Sequence, residues 1–292
     1  MRSSGSSDSR GRPADRPQAQ DPKRHGGGGS GRLTVVSLGP GDARHLTPRA
    51  REALEQAEVV VGYKTYVDLI RHLIGGKDVR ASGMRREISR CREAVSAALD
   101  GRRVALVSSG DAGIYGMAGL VFEVCRAQGV RVKTWDGAEV SKEGCLSVEV
   151  VPGVAAFNAA AALLGAPLMH DFAAVSLSDH LTPWELIEKR LDAAGAADFV
   201  IAVYNPRSKS RPDLLEKARR ILMRHRSPET PVGVVQKAMR EGQRCRITTL
   251  GGLDPEDVDM QTVLLVGNSR TYVWEGRMVT PRGYLDKYGE DM

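Results

Sequence analysis

The chain has 292 residues, 41% hydrophobic and 5% aromatic, which is enough for two domains with buried cores and excludes a fibrous or wholly disordered protein. Its formal charge is +6, and residues 1–31 hold half of that excess, with six basic and three acidic side chains. The rest of the chain is only mildly basic, which argues against a nucleic-acid-binding protein.

Residues 1–31 contain no apolar signal core, and their Ser, Gly, Arg, Asp and Pro content predicts a flexible basic tail. The longest apolar stretch, residues 154–169, is shorter than the roughly 20 residues that cross a bilayer. It therefore predicts a buried helix and no membrane partner. Four scattered cysteines, none beside a histidine at metal-ligand spacing, indicate reduced thiols in a cytoplasmic protein without a metal.

Short apolar strands alternate with amphipathic helices from residue 32 onward. The predicted strands are 33–38, 59–62 and 104–108, and the predicted helices are 47–57, 63–73, 84–100 and 118–128. This alternation is typical of a largely parallel sheet. Thr47 and Thr182, each followed by a proline, predict two helix N-caps, the second completed to a capping box by Glu185.

The pattern starts again after residue 151. A small-residue helix at 153–164 precedes five predicted strands, at 173–177, 199–204, 232–235, 245–250 and 262–266. Several of these strands are adjacent in sequence, which predicts a mixed sheet. We therefore predict an α/β protein with an N-terminal domain (32–151), a C-terminal domain (152–284), a short tail (285–292) and a ligand cleft between the domains.

Glycine-rich turns follow the predicted strands 33–38, 104–108 and 147–151, and they let a ligand approach the backbone closely. They are Gly39-Pro40-Gly41-Asp42, Ser109-Gly110-Asp111 and Pro152-Gly153. The first opens like a dinucleotide fingerprint, but Arg44 occupies the place of the third glycine, so that reading is weak. The alternatives are a plain tight turn, a helix cap by Asp111 and close helix packing after Gly153.

Two groups of cations suit an anionic ligand. Arg85 and Arg86 are predicted in the first turn of helix 84–100, where the helix dipole disfavours each by about 0.3–1 kcal/mol. Arg207, Lys209 and Arg211 follow strand 199–204. Solvated surface charge is the alternative for both groups.

An acidic residue and a histidine, Asp179 and His180, follow strand 173–177 and could carry out acid–base chemistry. No serine or cysteine is arranged with them as a nucleophile, so covalent hydrolysis has little support.

In chain order, several of these segments resemble the tetrapyrrole methylase family. They are residues 39–42, 109–116, 152–156, 204–209 and 248–250. Other segments are similar to the members of that family that methylate precorrin-3B at C-17, namely 62–66, 83–87, 107–119, 177–179, 181–184 and 266–269. The resemblance covers residues 32–284, and residues 135–144 look like a surface insertion.

This resemblance implies a cleft between two α/β domains, usually in a homodimer, that holds S-adenosylmethionine beneath a tetrapyrrole substrate. Carried over by position, the cofactor-contacting residues are Pro40, Ser109, Gly110, Asp111, Ile114, Ala155, Ala156, Asn205 and Ala238. At residue 155 many relatives have Ser or Thr, and Ala155 lacks that hydroxyl.

The implied reaction in cobalamin biosynthesis transfers a methyl group to C-17 and contracts the macrocycle, giving precorrin-4. Methyl transfer from a sulfonium needs positioning and no enzyme nucleophile. Contraction needs a base, and either Asp179 or Asp111 could serve. The substrate's many carboxylates give Arg85, Arg86, Arg207, Lys209 and Arg211 a partner.

Three alternatives stay open. The substrate could carry cobalt, as cobalt-precorrin-3 of the anaerobic route does. The same fold also includes rRNA methyltransferases, although the modest charge of the folded part argues against RNA. A non-catalytic tetrapyrrole or nucleotide sensor would bind with these loops and transfer no methyl group.

Overall fold

The computed structural model describes residues 31–134, 145–208 and 212–289. The predicted tail up to residue 30, the predicted insertion at 135–144 and the last three residues lie outside that part. The first half contains the strands β1 (Arg32–Ser37), β2 (Val59–Tyr63), β3 (Asp78–Ser82), β4 (Arg103–Ser108), β5 (Arg131–Thr134) and β6 (Cys145–Val151). Its helices are α1 (Pro48–Gln56), α2 (Lys64–Leu69), α3 (Glu87–Leu99) and α4 (Ala118–Ala127).

These six strands form one sheet in the order β3-β2-β4-β1-β6-β5, and every neighbouring pair is parallel. Helices cover both faces, so neighbouring residues of a strand are both buried. Val35 belongs to the core beneath α3 and α4, whereas Val36 belongs to the core beneath α1 and α2. Burial on both faces explains the continuous apolar runs of β1, β2 and β4. The prediction of a parallel sheet is confirmed.

The second half begins at Ala156. Its strands are β7 (Gly165–Ala166), β8 (Phe172–Ser176), β9 (Val200–Tyr204), β10 (Pro231–Gln236), β11 (Arg244–Thr249), β12 (Thr262–Val266), β13 (Tyr272–Trp274) and β14 (Arg277–Val279). Its helices are α5 (Ala156–Leu164), α6 (Trp184–Ala196), α7 (Leu214–Leu222) and α8 (Tyr284–Tyr288).

Five of these strands form a sheet in the order β11-β10-β12-β9-β8, in which β8 and β9 are parallel and the other pairs antiparallel. The predicted mixed sheet is thus confirmed. Helices α6 and α7 cover one face, and α5 covers the other. A small third sheet, in the order β13-β14-β7, pairs the short strand that follows α5 with the late hairpin β13–β14. The domain boundary near residue 151 stays a prediction.

Several element bounds differ from the predictions. Helix α3 begins at Glu87, so Arg85 and Arg86 precede it. Helix α6 begins at Trp184 with Pro183 at the N-cap and without a side-chain cap, so the capping box at Thr182 is wrong. Thr47 does cap α1, accepting from Ala50 N at 3.2 Å. The exposed edge strand β3 was missed because it lacks an apolar run. No helix in the described ranges is long and apolar enough to cross a membrane.

Candidate active site between the two sheets

The two glycine turns after β1 and β4 meet directly. Gly39 N donates to Gly110 O at 3.1 Å, and Gly110 N donates to Gly39 O at 2.7 Å. Both residues have left-handed backbone, with φ of 66° and 65°. Glycine adopts this conformation without steric cost, which explains the residue type at both positions. The carboxyl ends of the two central strands therefore share a small backbone bridge.

A third glycine, Gly153, lies against this bridge. A Cβ atom placed on Gly153 would lie 2.6 Å from Ser37 Cβ and 2.7 Å from Gly110 O. Both distances are far below van der Waals contact, so only glycine fits. The chain leaving β6 thus crosses the bridge on its way to α5, and backbone from three segments meets at one point.

Asp111 fixes that meeting point. Its carboxylate oxygens accept from Gly113 N at 2.8 Å and from Gly153 N at 2.9 Å. Nearby, the buried hydroxyl of Ser37 accepts from Ala112 N at 2.8 Å. Helix α4 begins only at Ala118, so Asp111 is not its cap. The carboxylate joins two loops of the cleft.

Helix α5 starts beside the bridge. Its N-cap residue is Ala155, which makes no side-chain cap hydrogen bond. The backbone N of Phe157 instead donates to the hydroxyl of Tyr204 at 3.2 Å. The free amides of a helix's first turn favour polar or anionic groups. This end of α5 therefore faces the cleft with its backbone.

An apolar cluster joins the two halves of the chain at this place. Ala155 is buried there, and Ile114, Ala156 and Ala238 pack against the same cluster. Ile114 comes from the loop after β4, whereas Ala238 follows β10 of the second sheet. Four residues predicted to contact the cofactor are thereby brought together.

Two tyrosines pack together beside the start of α5. The rings of Tyr115 and Tyr204 lie 5.1 Å apart, and the Tyr115 hydroxyl donates to Ala174 O at 2.9 Å. Burial raises the pKa of Tyr204 to about 12, so its hydroxyl stays protonated at neutral pH. Asn205, next in sequence, donates from Nδ2 to Ser176 Oγ at 2.9 Å.

Strained backbone is concentrated around this cleft. Seven non-glycine residues in the described part of the chain have left-handed φ. Four of them, with φ between 50° and 53°, lie in loops around the site: Tyr115, Asn205, Lys237 and Met239. Such conformations cost about 1–3 kcal/mol each and cluster at functional sites. The strain supports a binding role for these strand ends.

A model of the tetrapyrrole (corrin/porphyrin) methylases matches residues 32–254. The chain belongs to this family. A cobalt-factor III methyltransferase of Priestia megaterium is 49% identical over 258 residues, covering 88% of this chain but only 46% of that relative. A probable cobalt-factor III C(17)-methyltransferase of Salmonella typhimurium is 52% identical over 252 residues, or 86% of this chain and 99% of the relative.

A solved structure of the methyltransferase CobJ is also similar to this methylase. It is 39% identical, with a TM-score of 0.77, and the match covers 86% of this chain and all of that one. The crystal structure of a cobalt precorrin-4 methyltransferase, CbiF, matches 81% of this chain and 94% of that one at 25% identity, with a TM-score of 0.64. The predicted family and fold are therefore confirmed.

Within this methylase fold, the remaining cofactor candidates also lie at the bridge. Ser109 precedes Gly110, and Pro40 follows Gly39. The carbonyl of Pro40 accepts a hydrogen bond from the Nε of Arg240, which lies between β10 and β11. Arg240 was missed because an arginine in a polar loop has no local pattern that separates it from a solvated one. The assignment of all these residues to cofactor contacts stays a prediction.

The predicted substrate-binding cations lie in different environments. Arg85 is exposed, with φ of 62°, and Arg86 is the exposed N-cap residue of α3, so their predicted place in the first turn of the helix is wrong. Arg207 is held by Pro255 O at 2.7 Å and by Glu256 at 2.5 Å. Lys209 and Arg211 lie outside the described residues.

Asp179 lies exposed, three residues beyond the carboxyl end of β8, with exposed His180 beside it. Asp111, the other predicted base, is occupied by two backbone amides. The two carboxylates thus have different environments, of which the one at Asp179 is open to solvent. Among the described residues, no group of three His, Cys, Asp or Glu side chains could hold a metal ion.

Proposed function

We propose that this protein is an S-adenosylmethionine-dependent methyltransferase of cobalamin biosynthesis that methylates C-17 of precorrin-3B or of its cobalt-containing counterpart. The observation that carries the proposal is the backbone cradle at Gly39, Gly110 and Gly153, next to the start of α5, whose N-cap residue Ala155 makes no side-chain hydrogen bond. The names of the relatives at 49% and 52% identity support the same reaction.

The cradle fits a ligand with many polar edges and a flat ring. Gly110 leaves the backbone open to close approach, since a Cβ there would meet no atom nearer than Ala156 N at 3.6 Å, and the N-cap residue of α5 beside it makes no side-chain hydrogen bond. Ala156, Ala238 and Ile114 provide an apolar wall for an adenine ring. When bound, S-adenosylmethionine supplies an activated methyl group on a sulfonium.

The protein's own contribution is positioning. Asp111 and the Gly39–Gly110 bridge fix the loops, so the site is organised before ligands bind. Holding two reactants in the correct geometry can lower a barrier by about 7–11 kcal/mol. This is the main requirement of methyl transfer to an electron-rich ring carbon. Exposed Arg85 and Arg86 remain candidates for the substrate's carboxylates.

The reaction is tested with purified protein, S-adenosylmethionine and, in parallel, precorrin-3B and cobalt-factor III under anaerobic conditions. We expect a mass gain of one methyl group and the absorbance of a contracted macrocycle with one of the two substrates. The substrate that reacts identifies the route. If the protein binds S-adenosylmethionine but methylates neither tetrapyrrole, the proposed function is wrong.

We propose Asp179 as the base that removes the hydroxyl proton during ring contraction, because its side chain is exposed just beyond the carboxyl end of β8. D179N should retain methyl transfer and lose contraction, so that mass and absorbance separate. Asp171 is an exposed aspartate at the opposite end of β8, and D171N serves as the matched control. Equal contraction by both variants would remove Asp179 from the mechanism.

We also propose a homodimer in the cytoplasm. The β13–β14 hairpin exposes apolar side chains, including 66% of Trp274, which a second copy could cover. Free cysteines at 91, 125, 145 and 245 suit a reducing compartment. Light scattering of the purified protein measures its mass, and a monomer at micromolar concentration would contradict the dimer.

A further inference from the structure

The loop between β10 and β11 is rigidly built. Met239 N donates to Gln243 Oε1 at 2.7 Å, while Arg240 N donates to Lys237 O and Gln243 N to Arg240 O, both at 3.0 Å. Lys237 and Met239 hold left-handed backbone conformations that cost free energy. An internal network that maintains this strain indicates a loop with a fixed task.

The loop directs Arg240 across the cleft to the first sheet. Its Nε donates to Pro40 O, in the turn after β1. A Cβ atom on Gly41 would lie 2.6 Å from Arg240 Nε and 2.9 Å from its Cγ. The absence of a side chain at residue 41 is therefore what lets the guanidinium reach this position.

The charge of Arg240 lacks a counterion. No carboxylate of the described residues lies within ion-pair distance of it, and its two Nη atoms donate to none of those residues. Burial lowers the pKa of the half-buried guanidinium, yet an arginine stays protonated in proteins. Among the described residues, the hydrogen bond to Pro40 O offsets only part of the cost of desolvating this charge.

Two other buried arginines, unlike Arg240, have several partners for their guanidinium groups. Arg226, 7% exposed, has Asp198 at 3.2 Å and donates to Gly195 O at 2.7 Å. Arg90, 3% exposed, donates to Ser82 Oγ at 3.0 Å and to Gly83 O at 2.8 Å. These two have structural partners for their guanidinium groups. Arg240 has one such partner, which holds Nε and leaves the Nη edge available.

We propose that Arg240 binds a carboxylate of a ligand held between the two sheets, through its Nη atoms, while Nε anchors it to Pro40. A planar guanidinium pairs with a carboxylate through two parallel hydrogen bonds, which fix orientation as well as affinity. Lys237, in the same loop, has no carboxylate partner among the described residues and adds positive charge. The inference rests on the proposed function, since both of its ligands carry carboxylates.

Two ligands could supply the carboxylate: the amino-acid end of S-adenosylmethionine, or an acidic side chain of the tetrapyrrole. The variants are R240Q, which removes the charge, and R240K, which retains it. R244Q is the matched control, because Arg244 is an exposed arginine at the end of the same loop. Calorimetry measures binding of S-adenosylhomocysteine, of 5′-methylthioadenosine, which lacks the carboxylate, and of the tetrapyrrole that the wild type methylates.

If Arg240 holds the methyl donor, R240Q weakens S-adenosylhomocysteine binding by about 10- to 100-fold and leaves 5′-methylthioadenosine binding unchanged. If it holds the tetrapyrrole, both nucleoside affinities stay unchanged and tetrapyrrole affinity falls by the same factor. In either case R240K recovers part of the loss, because a point charge remains, and R244Q binds like the wild type.

The inference is overturned if R240Q binds all three ligands like R244Q. It is also overturned if R240Q loses both nucleosides equally, because Arg240 then acts only by holding the Pro40 turn. Failure of the proposed function has a different signature, since the wild type itself would then methylate neither tetrapyrrole.

Discussion

Replacing Gly153 by alanine tests the close approach at the centre of the site. The added Cβ would lie 2.6 Å from Ser37 Cβ and 2.7 Å from Gly110 O, both in segments held by sheet or bridge hydrogen bonds. Relief of the clash must therefore move backbone. Overpacking costs about 1–3 kcal/mol, and a loss of about 2 kcal/mol lowers Tm by about 4–8 °C. We also expect weaker binding of S-adenosylhomocysteine, since the bridge lines the cradle.

Gly119 provides the matched control. It lies exposed in α4, and a Cβ there would meet no atom within 4 Å. G119A should be neutral or stabilise the fold by up to about 1 kcal/mol, because alanine favours helix. Differential scanning calorimetry gives Tm, and isothermal titration gives the Kd of S-adenosylhomocysteine. Equal Tm and equal Kd for G153A and G119A would refute the close approach inferred at Gly153.

Three further predictions concern individual side chains. D111N leaves one of two backbone amides without an acceptor, so its free energy of unfolding in urea should fall by about 1–3 kcal/mol. A D111N variant as stable as the wild type would contradict this role of Asp111. Burial raises the pKa of Tyr204 from about 10 in the unfolded chain to about 12 in the folded protein. The neutral Tyr204 hydroxyl therefore stabilises the fold fully below about pH 10, and this contribution is lost as the pH rises toward 12. Y204F, which also removes the acceptor of Phe157 N, should show a smaller loss across this window, and identical pH slopes would disprove the assignment. R226A should cost at least about 2 kcal/mol and the exposed control R224A less than about 1 kcal/mol, whereas equal costs would contradict a buried hub at Arg226.

Local pattern predicted the sheets well. Apolar runs such as Val35-Val36 in β1 and Val59–Val61 in β2 correspond to burial on both faces of the sheet. Each run is visible within the sequence of its own strand. The turns at Gly39 and Gly110 were also predictable, because a strand that enters a left-handed turn favours glycine at that position. The edge strand β3 was missed because pairing on one side leaves it partly exposed.

The positions of charged side chains were harder to predict. Arg85 and Arg86 lie outside α3, because the helix starts at Glu87 rather than at the first apolar residue, Met84. Arg207 contacts the loop at Pro255 and Glu256, nearly 50 residues further along the chain. A charge in a loop has no periodic pattern, so its partner depends on what the fold places beside it.

The sequence by itself determined the parallel and mixed sheets and the glycine turns at the strand ends, because periodicity and backbone freedom are properties of short segments. The family came from the resemblance of several motifs taken together. Only the tertiary structure decided what those turns do together. The contacts from Asp111 to Gly153 N and from Arg240 to Pro40 O join segments 42 and 200 residues apart. Such contacts depend on which strand ends meet across the two sheets, and no local pattern records that.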